Sequence, residues 1–143
     1  MRSYPESVRS LVVPLLAVVA LAACAGGSAG TSPPTALKVT YWENGRGTST
    51  PVTWTLRCNP ARGSLPRPAV ACRRLVKGGP KLFAAVPPDT VCTEIYGGPQ
   101  VARVTGTVKG TRVWTTFTRT NGCEIGRWQR LSPWLLPPGG VTR

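Results

Sequence analysis

The stretch VARVTGTVKGTRVWTTFT, residues 101–118, decides the reading of this chain. Residues 101–108 and 111–118 are both rich in valine and threonine, and Lys109-Gly110 between them is a two-residue reversal with glycine where a positive φ is needed. β-Branched runs joined in this way form an antiparallel hairpin. Two earlier segments carry the period-2 alternation of half-buried strands. Leu37, Val39 and Tyr41 alternate with Lys38 and Thr40, while Val52, Trp54, Leu56 and Cys58 alternate with Thr53, Thr55 and Arg57. The segment from Glu43 to Gly47 reads as the turn between them, and the four strands are expected to form an antiparallel meander. Residues 69–76, entered after Pro68 and stopped by Gly78-Gly79, read as a helix, and a second short helix is expected over 123–131, after Gly122. The tail 133–138, PWLLPP, reads as a short last edge strand, and residues 139–143 as a fraying end.

At 143 residues the chain has room for one domain. Its 16 Gly and 15 Pro favour short strands and many turns over long helices. Histidine is absent and Asp89 is the sole aspartate, which excludes a Ser-His-Asp triad and a His-based zinc site. Ser64 and Ser132 have basic neighbours but no activating base, so hydrolase chemistry is not expected. Glu124 reads as a cap or as a partner for Arg127. No metal and no cofactor is expected. Eighteen Lys and Arg against five Asp and Glu give a net charge of +13. No nucleic-acid-binding motif accompanies that charge, and Arg62, Arg67, Arg73, Arg74, Lys77 and Lys81 are scattered through loops. The excess therefore reads as solubility and attraction to anionic phospholipid or wall polymer rather than DNA or RNA binding. Trp54 shares a strand phase with Val52 and Leu56 and is expected in the core. Trp42 and Trp114 fall on the opposite phase, where one of them is expected exposed, at a dimer interface.

Residues 1–23 have Arg2 and Arg9, then an uncharged apolar run from residue 11 to 22, then small residues, the pattern of an export signal too short to span a bilayer. Leu21-Ala22-Ala23-Cys24 looks like the lipobox of bacterial lipoproteins, so Cys24 is expected to carry a diacylglycerol and tether the protein to the outer face of the membrane. The plainer alternative is a secretory signal with an incidental cysteine. Residues 24–35, rich in Gly, Ser, Thr and Pro, read as a flexible tether, and residues 36–138 as the domain.

With Cys24 assigned to lipid, Cys58, Cys72, Cys92 and Cys123 remain. An even number in a small exported domain reads as two disulfides. Three pairings are possible, and the sequence-local one, Cys58 with Cys72 and Cys92 with Cys123, is expected. Loops of that size contribute roughly 3–4 kcal/mol each in the chain-entropy model.

A strand ending in Cys58, a helix carrying Cys72, the segment Val91-Cys92-Thr93-Glu94-Ile95-Tyr96 and the sequence Asn121-Gly122-Cys123-Glu124 fall in one order. Together with Val52-Thr53-Trp54-Thr55-Leu56-Arg57-Cys58 and Ala71-Cys72-Arg73-Arg74-Leu75, this order resembles the Streptomyces subtilisin inhibitor family. The resemblance covers residues 36–137. It implies an α+β fold with a small antiparallel sheet of about five strands, two short helices on one face and two disulfides, paired as a homodimer. It also implies inhibition of a serine protease through a substrate-like loop whose scissile bond lies two residues after the third cysteine. By position, Val91, Cys92 and Thr93 lead into the bond between Glu94 and Ile95, and Tyr96 follows it. Glu94 would then set specificity, in place of the family's usual Met, Lys, Leu or Arg, and the partner is a subtilisin-like or glutamate-preferring protease. Gly97-Gly98 is one residue longer than the family's usual segment and reads as a flexible insertion. If the loop has lost inhibition, the alternative is a non-inhibitory binding module of the cell envelope on the same fold.

Overall fold

The computed structural model describes residues 34–139. The export signal, the lipid site Cys24, nearly all of the tether and residues 140–143 lie outside the described residues. In chain order come β1 (Ala36–Trp42), β2 (Val52–Arg57), α1 (Pro68–Gly78), a 3₁₀ helix (Gly79–Phe83), β3 (Val101–Val108), β4 (Thr111–Phe117) and α2 (Gly122–Leu131). Pro68 stands in the first turn of α1, where its missing N–H costs nothing. Asn121 caps α2, its side chain accepting from the Glu124 N–H at 2.9 Å. Lys109 and Gly110 both have positive φ, 50° and 79°, as a two-residue hairpin requires.

Among the described residues the sheet has four strands, all antiparallel, in the order β2-β1-β3-β4. This corrects the expected meander: both hairpins form, but they join through β1 and β3. The two central strands bury Leu37 and Val39 on β1 and Ala102, Val104 and Val108 on β3. On β2, by contrast, Val52 is 49% exposed, so that strand belongs at an edge. The chain leaves β2 through Cys58, crosses α1 and the 3₁₀ helix, and returns beside the free edge of β1. Register aligns the apolar rows, with Val39 opposite both Trp54 and Val104, and Tyr41 opposite Ala102.

Both helices pack on one face of this sheet. Ala71, Cys72 and Leu75 of α1, and Trp128 and Leu131 of α2, share one core with the inward strand residues and Phe83. Trp54 stacks on Tyr41 at 5.9 Å between ring centroids, and Tyr41 also meets Trp128 at 6.2 Å, so Trp54 packs against the core as expected. Burial pushes the Tyr41 phenol above its ordinary value; the Glu43 carboxylate adds to the rise and Arg119 opposes it. Trp114 is the exposed indole, at 66%.

The tail is not an edge strand. Residues 133–136 form turns after α2, and Trp134, Leu135 and Leu136 are all buried. Three consecutive buried side chains do not suit a strand with one wet face. Pro137 accepts from Trp128 Nε1 at 2.9 Å and from Ser132 Oγ at 3.2 Å, which wraps the tail onto α2. The outer edge of β2 is covered by residues 62–65. Arg57 and Arg62 exchange backbone hydrogen bonds of 2.7 and 2.9 Å, the Leu65 N–H donates to the Thr55 carbonyl, and Ser64 Oγ accepts from the Thr55 N–H at 2.9 Å. Ser64 thus serves the sheet and Ser132 the tail.

Candidate reactive loop

Both disulfides join the sequence-local partners, Cys58 to Cys72 and Cys92 to Cys123. The first ties the end of β2 to α1. The second ties the long segment between the 3₁₀ helix and β3 to the first turn of α2.

That segment holds every residue the sequence placed in the loop. Val91 is 96% exposed, Ile95 and Tyr96 are 62% exposed, Thr93 and Glu94 are exposed, and Cys92 is half-buried. The chain then turns inward, and Gly97, Gly98 and Gln100 are buried. Fastenings stand on both sides of the protruding residues. Before them, the Thr93 carbonyl accepts the Gly122 N–H at 2.9 Å, next to the Cys92–Cys123 bond. After them, the Gly97 N–H donates to the Arg119 carbonyl at 2.7 Å. Glu94, Ile95 and Tyr96 bow out between these two points.

Gly97-Gly98 is a packed corner rather than a flexible insertion. A Cβ on Gly97 would come within 2.9 Å of the Ile125 side chain and 3.2 Å of the Arg119 carbonyl. Gly98 has φ +129°, which side-chain-bearing residues rarely adopt, and a Cβ there would collide with Gln100 Oε1. Gly122 is equally confined, by Thr93 Oγ1. The glycines let the loop lie flat against α2 and the chain entering it.

Behind the corner lies Arg119, 6% exposed. Its guanidinium donates to Gln100 Oε1 at 3.0 Å and to the Gly139 carbonyl at 3.2 Å, so Gly139, expected to fray, is held. Arg127 fixes α2 in turn. It pairs with Glu124 at 2.7 Å, as the sequence indicated. It also donates to the Ala84 and Thr116 carbonyls and to Thr115 Oγ1, and lies 4.6 Å over the Phe117 ring. The helix turn carrying Gly122 and Cys123 is thereby locked to β4 and to the start of the loop segment. Sequence reading missed Gly122, Arg119, Gln100 and Ile125 as supports of the loop. An arginine after a strand and a Gly-Gly pair carry no sign of their partner.

A loop fastened on both flanks loses little freedom when another protein grips it. Cut between its fastenings, it would keep both new ends in place. Residues 33–121 match the family model described as subtilisin inhibitor-like. The chain belongs to the subtilisin inhibitor-like family. Its members are protease inhibitors, not enzymes. Among solved structures, Streptomyces caespitosus sermetstatin in complex with Bacillus licheniformis subtilisin shares 29% sequence identity, covering 72% of this chain and 97% of that one, with a TM-score of 0.49. No curated protein matches the chain.

Proposed function

We propose that this subtilisin inhibitor-like protein blocks a serine endopeptidase by presenting the bond between Glu94 and Ile95 as a substrate, from a position held at the outer face of the cell membrane by a lipid on Cys24. The observation that carries the reading is the pair of backbone fastenings, Thr93 to Gly122 and Gly97 to Arg119, flanking the exposed Glu94, Ile95 and Tyr96. The residue before a scissile bond enters the protease's specificity pocket, while the neighbouring main chain pairs with its strand edge. With Glu94 in that place, the target has a pocket that accepts a carboxylate. After acylation the Ile95 amine stays beside the acyl group, because Gly97 remains bonded to Arg119 and Thr93 to Gly122. Resealing then outruns hydrolysis.

The test is stoichiometric titration against subtilisin-like, trypsin-like and glutamate-preferring endopeptidases. Tight inhibition of the glutamate-preferring enzyme and weak inhibition of the other two are expected. Cleavage of all preparations without inhibition, or no interaction at all, sinks the reading and leaves the cell-envelope binding module. Self-association into a homodimer belongs to the same reading and is measured by sedimentation.

Anchoring has its own expected outcome. A Cys24→Ala protein should leave the membrane fraction or remain with its uncleaved signal, and metabolic labelling with a radioactive fatty acid should be lost. Labelling that persists in Cys24→Ala rules out that lipid site.

A further inference from the structure

The chain has three asparagines, and each stands in a different chemical position. Asn59 precedes Pro60, which has no N–H, while Asn44 and Asn121 each precede a glycine. A glycine nitrogen closes readily on the preceding side-chain amide, because no Cβ stands in its path. In a folded chain the outcome then depends on whether that nitrogen is free to move.

At Asn121 it is held. The Gly122 N–H donates to the Thr93 carbonyl at 2.9 Å, the Asn121 side-chain oxygen accepts from the Glu124 N–H at 2.9 Å, and the Asn121 carbonyl accepts from the Ile125 N–H at 2.9 Å. Ring closure there would undo both the cap of α2 and the front fastening of the loop. At Asn44 no such restraint exists. The residue is exposed in the turn between β1 and β2, and among the described residues neither its side-chain amide nor the Gly45 N–H has a hydrogen-bond partner. The turn itself is held by long bonds: the Asn44 N–H donates to Ser49 Oγ at 3.2 Å, and the Gly45 carbonyl accepts from Ser49 Oγ at 3.3 Å and from the Thr48 N–H at 3.4 Å. Gly45 has φ +86°, and a Cβ added to it would meet only the Pro99 carbonyl, at 3.5 Å.

We infer that Asn44 is a self-modifying site, where the Gly45 nitrogen closes on the Asn44 side chain and the chain converts with time to isoaspartate. A bond forms between the Gly45 nitrogen and Asn44 Cγ, the bond from Cγ to Nδ2 breaks, and the Gly45 amide proton leaves with that nitrogen as ammonia. Water then opens the cyclic imide at either carbonyl. Opening at Cγ leaves aspartate; opening at the main-chain carbon leaves isoaspartate, in which the backbone runs through the side-chain carbons and is one methylene longer. Both products put a new carboxylate beside Glu43. The longer turn presses toward the Pro99 carbonyl, two residues past Gly97. On the proposed function, that pressure reaches the rear fastening of the reactive loop, Gly97 on Arg119, so the aged protein is cut faster by its protease. This consequence rests on that reading, and the modification itself does not.

The experiment ages the full chain at neutral pH, locates amide-to-acid conversion by peptide mass, and counts isoaspartate by methyl transfer from a protein isoaspartyl methyltransferase. Conversion is expected at Asn44 at least about tenfold faster than at Asn121, where the first turn of α2 must open before the nitrogen is free, and not at Asn59. In denaturant with both disulfides intact, Asn121 should rise to the rate of Asn44. Asn44→Gln, whose longer side chain closes a ring far more slowly, should remove the isoaspartate from the folded protein. No product at Asn44, equal rates at Asn44 and Asn121 in the folded protein, or a difference that persists undiminished in denaturant overturns the inference. Aged wild-type and aged Asn44→Gln proteins are then compared as inhibitors. Faster cleavage of the wild type alone is expected; equal cleavage despite isoaspartate at Asn44 overturns the coupling to the loop, and absence of inhibition by the fresh protein overturns the proposed function while leaving the isoaspartate count intact.

Discussion

Replacing Glu94 with Met is expected to make this protein a subtilisin inhibitor, tightening its complex on the order of a hundredfold or more over the natural loop. The main chain around Glu94 is already exposed and fastened on both sides, so the obstacle to an apolar pocket is a single carboxylate. Placing that carboxylate in such a pocket without a partner costs several kcal/mol, and removing it returns that energy to binding. Glu94→Lys should do the same for a trypsin-like enzyme, whose pocket attracts a cation, while abolishing inhibition of a glutamate-preferring one. Inhibition constants for the three proteins against the three proteases form the measurement. Two well-folded variants that are merely cut, or ignored, would mean that the loop is not a reactive site.

Removing the Cys92–Cys123 bridge as Cys92→Ala/Cys123→Ala should cost roughly 3–4 kcal/mol of stability and turn the protein from inhibitor into substrate. The Thr93–Gly122 hydrogen bond would be left to hold the front of the loop alone. A single exposed hydrogen bond contributes about 1 kcal/mol, too little to keep the acyl side in register once the bond is cut. Cys58→Ala/Cys72→Ala is the control, because it removes a bridge of comparable kind that ties β2 to α1 and lies away from the loop. Denaturant unfolding should show similar losses for both double variants. Accumulation of the fragment cut after Glu94 should accelerate in the first alone; the same acceleration in both would make the effect global unfolding rather than loss of the clamp.

The local features of this fold were readable from the chain, and the distant ones were not. The hairpin of β3 and β4 needed the valine-threonine runs and Lys109-Gly110, all adjacent in sequence. The segment after Gly122 read as the second helix, and cysteine order located the loop. Pairing of β1 with β3 depends on which edge the returning chain meets, and that is settled by burial of Leu37, Val39 and Val104 together, which no window of sequence contains. Gly97-Gly98 read as looseness because glycine permits freedom. Whether that freedom is used depends on the side chain of nearby Gln100 and on Ile125 and Arg119, which are far along the chain. The tail misled for a related reason: a run of Trp and Leu states that something is to be buried, and the turn that buries all three is dictated by the core it meets.

The strip of chain from Arg62 to Leu65 that lies along the outside of β2 has a bearing on how a protease meets this molecule. Proteases of this kind read a stretched peptide by hydrogen-bonding it as a strand, and an open sheet margin is the most readily misread imitation of one. Here that margin is taken at Thr55 and Arg57, whose amides and carbonyls are already answered by the molecule itself. Val91, Ile95 and Tyr96 stand out instead from the loop fastened at Thr93 and Gly97, the stretch proposed as the reactive site. On the proposed function, the bond an attacking enzyme meets there is the one whose two ends the fastenings at Thr93 and Gly97 hold together for resealing.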